Sequence, residues 1–271
     1  HNNNCLNKIS QDQINVLLDF YDSLNGENWI LQGNWLNMSV SVCEWGGIIC
    51  DVKCKIVQIY MISNNLKGTL PSLANLTELN EISLLCNYIE GGISQLSNMI
   101  QLTFININSN EINEPLPSFS KLINLLLLDL SKNHISGTID SATLPNSTYL
   151  QTLSLNNNEL SGTIPTMINN YGNLVNLVLN NNNFTGTIPD FNLAKLQWLS
   201  LSNNNLDGTI PSSIFSEDLT QLDLSYNQLS GNIPDAWYQT KSLRQLYLNN
   251  NMLSGNFVTS NYVQSFVTDF E

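Results

Sequence analysis

Residues 150–165 place Leu150, Leu153, Leu155, Asn158, Leu160, Gly162, Ile164 and Pro165 in the frame L-x-x-L-x-L-x-x-N-x-L-x-G-x-I-P. The frame occurs nine times, with Asn64, Asn87, Asn110, Asn133, Asn158, Asn182, Asn204, Asn227 and Asn251 in the asparagine slot, 22 to 25 residues apart. A period of that length marks units that cannot bury an apolar face alone and must stack on their neighbours. The chain is therefore read as an α/β solenoid whose stability sums coil and nearest-neighbour terms.

Each slot has a physical task. The L-x-L core, Leu153 and Leu155, is a short strand with alternate side chains turned inward. Strands of successive coils should pair into a parallel sheet. The asparagine follows where the chain leaves the strand, and its amide can satisfy backbone groups that burial would leave unpaired. Stacked over nine coils it forms a ladder. The glycine permits unusual backbone angles, and the proline fixes the next bend.

Composition narrows the function. Only 11% of residues are charged and the formal net charge is −13, which argues against nucleic acid and against an anionic membrane surface. No run of about 18 apolar residues occurs, so no membrane insertion is expected within this chain. The start at His1 reads as a mature or trimmed product. Of the five cysteines, Cys5, Cys43, Cys50 and Cys54 cluster at one end and Cys86 stands apart. That clustering suggests a disulfide-stapled cap in an oxidising compartment. A metal site is the rival reading, but the only histidines are His1 and His134. Sequons at Asn37, Asn75, Asn146 and Asn183 favour N-glycosylation and an extracellular location, as a secreted protein or a cell-surface ectodomain.

The L-x-G-x-I-P extension resembles the plant-type subclass of leucine-rich repeats, found in receptor-like kinase ectodomains and polygalacturonase-inhibiting proteins. The resemblance covers roughly residues 10–257. It implies a right-handed superhelix of nine repeats with a parallel concave β-sheet, a smaller second sheet and a helical N-terminal cap. Glu114 in place of glycine, and Ser94, Asp140 and Val258 in place of proline, should cause local irregularity without a change of fold. The divisions expected are a cap over 1–55, repeats over 56–257 and a C-terminal tail or partial cap over 258–271.

In the cap, Ser10 and Gln13 fit a capping box. Ile14, Leu17, Leu18, Tyr21 and Leu24 follow helical spacing before a stop at Asn25-Gly26. The segment from Cys43 through Trp45 and Gly47 to Cys50 is similar to the family's C-x-W-x-G-V-x-C motif, whose two cysteines bond to each other. By that resemblance Cys43 pairs with Cys50. Cys5 with Cys54 is the companion pair, and Cys86 is either a free thiol or the partner that replaces Cys54.

The x positions of each strand should line the concave face. Phe104, Leu127 and Trp198 share one column, Asp129, Asp223 and Tyr247 the next, and Tyr226 lies further along its coil. Aromatic residues dominate binding hot spots, so these seven are the candidate ligand-binding residues for a protein or peptide, with a glycan as a further option. Lone apolar residues are also ordinary on any surface. Thr69, Thr138, Thr163, Thr187 and Thr209 form a second column that could lie on an ordered lattice such as ice or crystalline polysaccharide. Threonine equally suits any exposed strand. No catalytic constellation, dinucleotide fingerprint or cofactor motif appears. Asp129 and Asp223 lie four coils apart, roughly 20 Å, too far for a carboxylate pair. The readings are a recognition module, a structural or adhesive glycoprotein that self-associates through its C-terminal coil, and an inhibitor of a wall-degrading glycosidase.

Overall fold

The computed structural model describes residues 5–255 of the 271. The tail over 258–271, the last residues of the repeat array and the head of the chain lie outside the described residues.

A helix, Gln11–Ser23, opens the described chain. Ser10 caps it, its hydroxyl accepting from the Gln13 N–H at 3.3 Å. The reciprocal half of the expected box is absent. The Gln13 side chain donates instead to the Asn75 carbonyl and so ties the helix to the first coil. Asn25 ends the segment in the left-handed region at φ 60°, a conformation asparagine tolerates. The buried stripe is Val16, Leu17, Phe20 and Leu24, with Ile14, Leu18 and Tyr21 only partly covered. That stripe sits on a ring of Trp29, Trp35 and Trp45 whose consecutive centroids are 5.0 and 4.9 Å apart. Disulfides Cys5–Cys54 and Cys43–Cys50 close the cap, and Cys86 is free and exposed.

A cap strand, Ile48–Cys50, runs antiparallel to Ile56–Tyr60 and extends the main sheet, a feature the repeat frame did not announce. Nine parallel strands follow, one per coil, from Ile56–Tyr60 to Gln245–Tyr247. Register is in frame: Leu153 stands opposite Leu128 on one side and Leu177 on the other. All three are fully buried, since a one-residue slip would turn the whole apolar set to solvent.

The asparagine ladder holds the coils together. Asn158 Oδ1 accepts the Ile135 N–H at 2.9 Å. Its Nδ2 donates to the carbonyls of Leu130 at 3.0 Å and Leu155 at 3.1 Å. Asn110, Asn133, Asn182 and Asn204 repeat the arrangement. Asn64 differs, because its amide bonds both backbone groups of Leu31 and so anchors the cap.

The second sheet is broken. Strands Ser136–Thr138, Glu159–Thr163, Asn183–Thr187 and Asn205–Asp207 form one stretch, while Lys67–Thr69 pairs only with Tyr88–Gly91. Ser230–Asn232 and Met252–Ser254 form a third piece, and the break on the N-terminal side is at the third coil, where Glu114 fills the glycine slot. Its carboxylate accepts the N–H groups of Gly92 at 3.1 Å and Ile93 at 2.8 Å, doing with a side chain what strand pairing does elsewhere. Short helical turns such as Ile93–Leu96 and Thr166–Asn170 cross the opposite side of the coils.

Candidate functional site

The face of the main sheet is set by its backbone. One residue per coil, directly before the ladder asparagine, has a left-handed φ: Ser63, Cys86, Ser109, Lys132, Asn157, Asn181, Asn203, Tyr226 and Asn250, between 49° and 57°. The strand must reverse there so that the next amide points inward. Four of the nine are asparagine, which visits this region at least cost apart from glycine. A bulky residue there is an outlier. Tyr226 is the largest, and it is 52% exposed.

The candidate residues fall into two groups. Phe104 and Leu127 lie on adjacent strands in direct register and are both half-buried. Three coils on, about 14 Å at the usual strand spacing, Trp198 begins the C-terminal group at 37% exposure. Tyr247 stands opposite Asp223 on the next strand, and Tyr226 follows Asp223 in the same coil. Not every x position reaches solvent: Ser83, Val178 and Ser200 in the second column are buried.

The three concave carboxylates differ in what they already hold. Glu81 accepts the Tyr60 hydroxyl. Partial burial and then that carboxylate push the Tyr60 phenol up to about 12. Asp129 Oδ1 accepts the Ser131 N–H at 3.0 Å and hydroxyl at 2.6 Å, and its Oδ2 accepts Asn108 Nδ2 at 3.0 Å. Asp223 repeats the first half, with Ser225 N–H at 3.1 Å and hydroxyl at 2.6 Å on Oδ1. The residue in the Asn108 slot of the preceding coil is Ser202, and Oδ2 of Asp223 has no protein partner among the described residues. These differences depend on neighbouring coils and could not be read from one repeat.

The sequon asparagines Asn37, Asn75, Asn146 and Asn183 are all exposed. Asn183 shares a strand with Thr185 and Thr187 on the outer face of the second sheet. There Thr138, Thr163, Thr187 and Thr209 are exposed, and each lays its methyl against the glycine of the next coil: a Cβ on Gly162 or Gly186 would lie 3.1 Å from it. Ser136, Ser161 and Thr185 stand two residues before three of these threonines, giving a second column of hydroxyls. Among the described residues no group of three or more His, Cys, Asp or Glu could hold a metal ion, and no helix is long and apolar enough to cross a membrane. His134 lies between Glu111 and Glu159, at 3.6 and 3.5 Å, on exposed positions.

Comparison with known proteins follows the same lines. Residues 10–51 match the leucine-rich-repeat N-terminal domain, and residues 149–171, 173–192 and 194–253 match leucine-rich-repeat models. A probable inactive leucine-rich repeat receptor-like protein kinase of Arabidopsis thaliana is 34% identical over 74 residues, 27% of this chain and 11% of that protein. The Arabidopsis receptor kinase HAESA ectodomain, solved with an IDA peptide hormone, superposes with a TM-score of 0.81 at 31% identity, covering 94% of this chain and 44% of that one. A plant ice-binding protein superposes with a TM-score of 0.70 at 28% identity, covering 90% of this chain and 80% of that one. The chain thus spans less than half of the receptor ectodomain and about a ninth of the curated relative.

Proposed function

We propose a role in recognition for this chain, which belongs to the plant-type leucine-rich-repeat proteins: it is an extracellular, non-enzymatic module that holds a protein or peptide across its concave face, chiefly at Trp198, Tyr226 and Tyr247. One observation carries the reading. Trp198 and Tyr226 leave large apolar surfaces in water on a face made mostly of small polar residues, and Tyr226 does so from a backbone angle that favours asparagine. The ladder imposes that angle in every coil, but neither the exposed indole nor a tyrosine in a slot that suits asparagine helps folding. The peptide hormone on the HAESA ectodomain and the cap disulfides support the same role and location.

The test is selection of phage-displayed random dodecapeptides on the intact protein. Enriched peptides should bind Trp198→Ala or Tyr247→Ala at least about tenfold more weakly, the loss of one hot-spot side chain. Tyr149→Ala, exposed on a turn away from the sheet, should bind them unchanged. Peptides that bind Trp198→Ala as well as the parent would refute the reading.

A second reading has its own observation. The threonine column and its serine and threonine companion form a two-column hydroxyl array on an exposed sheet, repeating at about 4.8 Å, and the ice-binding neighbour has comparable extent. We infer from this an alternative role in binding an ordered lattice. Ice recrystallisation inhibition that survives Thr163→Glu combined with Thr187→Glu would remove it, as would no inhibition by the parent.

A further inference from the structure

We infer that the ligand of the concave face carries a cationic group, an arginine or lysine side chain, which docks on Asp223 Oδ2 between Trp198 and Tyr247. This rests on the concave-face reading and specifies the chemistry of what binds there.

Asp129 has both oxygens engaged and Glu81 is held by the single hydroxyl of Tyr60, whereas Asp223 combines a doubly held oxygen with a second one that has no hydrogen-bond partner among the described residues. Ser225 holds one oxygen with two hydrogen bonds, so the carboxylate is oriented before any partner arrives, which lowers the ordering cost of binding. The other oxygen has no hydrogen-bond partner among the described residues, on a residue that is partly exposed. Asp129 has the same turn, yet Asn108 occupies its second oxygen. The Asn-to-Ser change in that slot, at Ser202, is what leaves Asp223 available.

Its neighbours suit a cation. Tyr247 is the direct cross-strand partner of Asp223, and Trp198 stands opposite Gln221, one strand and two residues away. At ordinary strand spacings that diagonal is about 8 Å between Cα atoms, within the reach of a tryptophan ring. A guanidinium or ammonium placed there would meet a carboxylate oxygen and aromatic faces, the two surfaces that attract it. Arg244, just before the last strand of the sheet, donates to the carbonyls of Lys241 and Leu243. Lys132 lies four coils away. The net charge of −13 favours the approach of a basic partner without choosing where it lands.

The experiment uses two random undecapeptide libraries, identical except that the central residue is arginine in one and citrulline in the other. Citrulline keeps the shape and removes the charge. Retention on the intact protein should favour the arginine library by about fivefold, the scale of one partly exposed ion pair. Asp223→Asn, which still accepts from Ser225, should bring the two libraries to parity. Trp198→Ala should lower both. Parity on the parent protein, or a preference that survives Asp223→Asn, overturns the inference. If parity is accompanied by loss on Trp198→Ala, the concave-face reading stands without it. Retention indifferent to both Trp198→Ala and Tyr247→Ala, or no retention of either library, overturns both.

Discussion

Replacing Asn158 by alanine tests the ladder where its bonds can be counted. The amide accepts from Ile135 N–H and donates to the carbonyls of Leu130 and Leu155. Without it the Ile135 N–H, whose residue is fully buried, loses its acceptor, at a cost of about 1–3 kcal/mol. The carbonyls fare better. Leu130 keeps Asn133 Nδ2 at 3.1 Å and Leu155 keeps Asn182 Nδ2 at 2.9 Å. Each loses one bond of two, about 0.5 kcal/mol apiece. The expected loss is therefore about 3 kcal/mol, or roughly 6–12 °C in Tm for a domain of this size. Urea and thermal unfolding followed by circular dichroism, with disulfides intact, would measure it. Asn156→Ala, two residues earlier and half-exposed, is the control and should stay within about 0.5 kcal/mol of the parent. A loss below about 1 kcal/mol at Asn158, or equal losses at both sites, would refute the claim that the ladder amides bind the coils together.

Three further outcomes are expected. Tyr226→Asn should raise the urea midpoint by the equivalent of about 0.5–1 kcal/mol, because asparagine accepts φ 54° more readily, while weakening peptide capture; a less stable variant would contradict the strain argument. Gly186→Ala should cost about 1–2 kcal/mol, since φ is +76° and the new Cβ meets the Thr163 methyl at 3.1 Å; adding Thr163→Ser should recover part of that loss in the same melt, and a neutral Gly186→Ala would sink the contact. Opening Cys5–Cys54, which closes 49 residues, should lower stability by about 4 kcal/mol, against about 2.5 for Cys43–Cys50, which closes seven; paired cysteine-to-serine variants compared by urea unfolding would reverse that order if the loop-entropy argument is wrong.

Much of this architecture was legible in one repeat. Leucine spacing, the slot of Asn158 and the glycine-proline extension carry the coil, because each coil meets nearly the same environment as the next. The face was less legible. Whether an aspartate is open depends on the residue one coil earlier, Asn108 against Ser202, and that relation is invisible until register is known. The left-handed column had a faint signal in Asn157, Asn181, Asn203 and Asn250, which made Tyr226 look like an ordinary exposed tyrosine. Glu114 signalled irregularity, but not that its carboxylate would cap two amides of the preceding coil. The cap helix shows the same limit. Tyr21 has the right spacing and packs on Trp29 and Trp35 at 5.1 and 5.9 Å but stays partly exposed. Phe20, which the spacing passes over, is fully buried against the same two rings at 5.9 and 6.1 Å.

Each ladder asparagine reaches only its own coil and the one before it. Gene segments encoding whole coils can therefore be duplicated or lost without redesigning the rest, and the concave sheet lengthens or shortens in steps of about 4.8 Å. A molecule built this way is an adjustable ruler, whose span changes by whole coils.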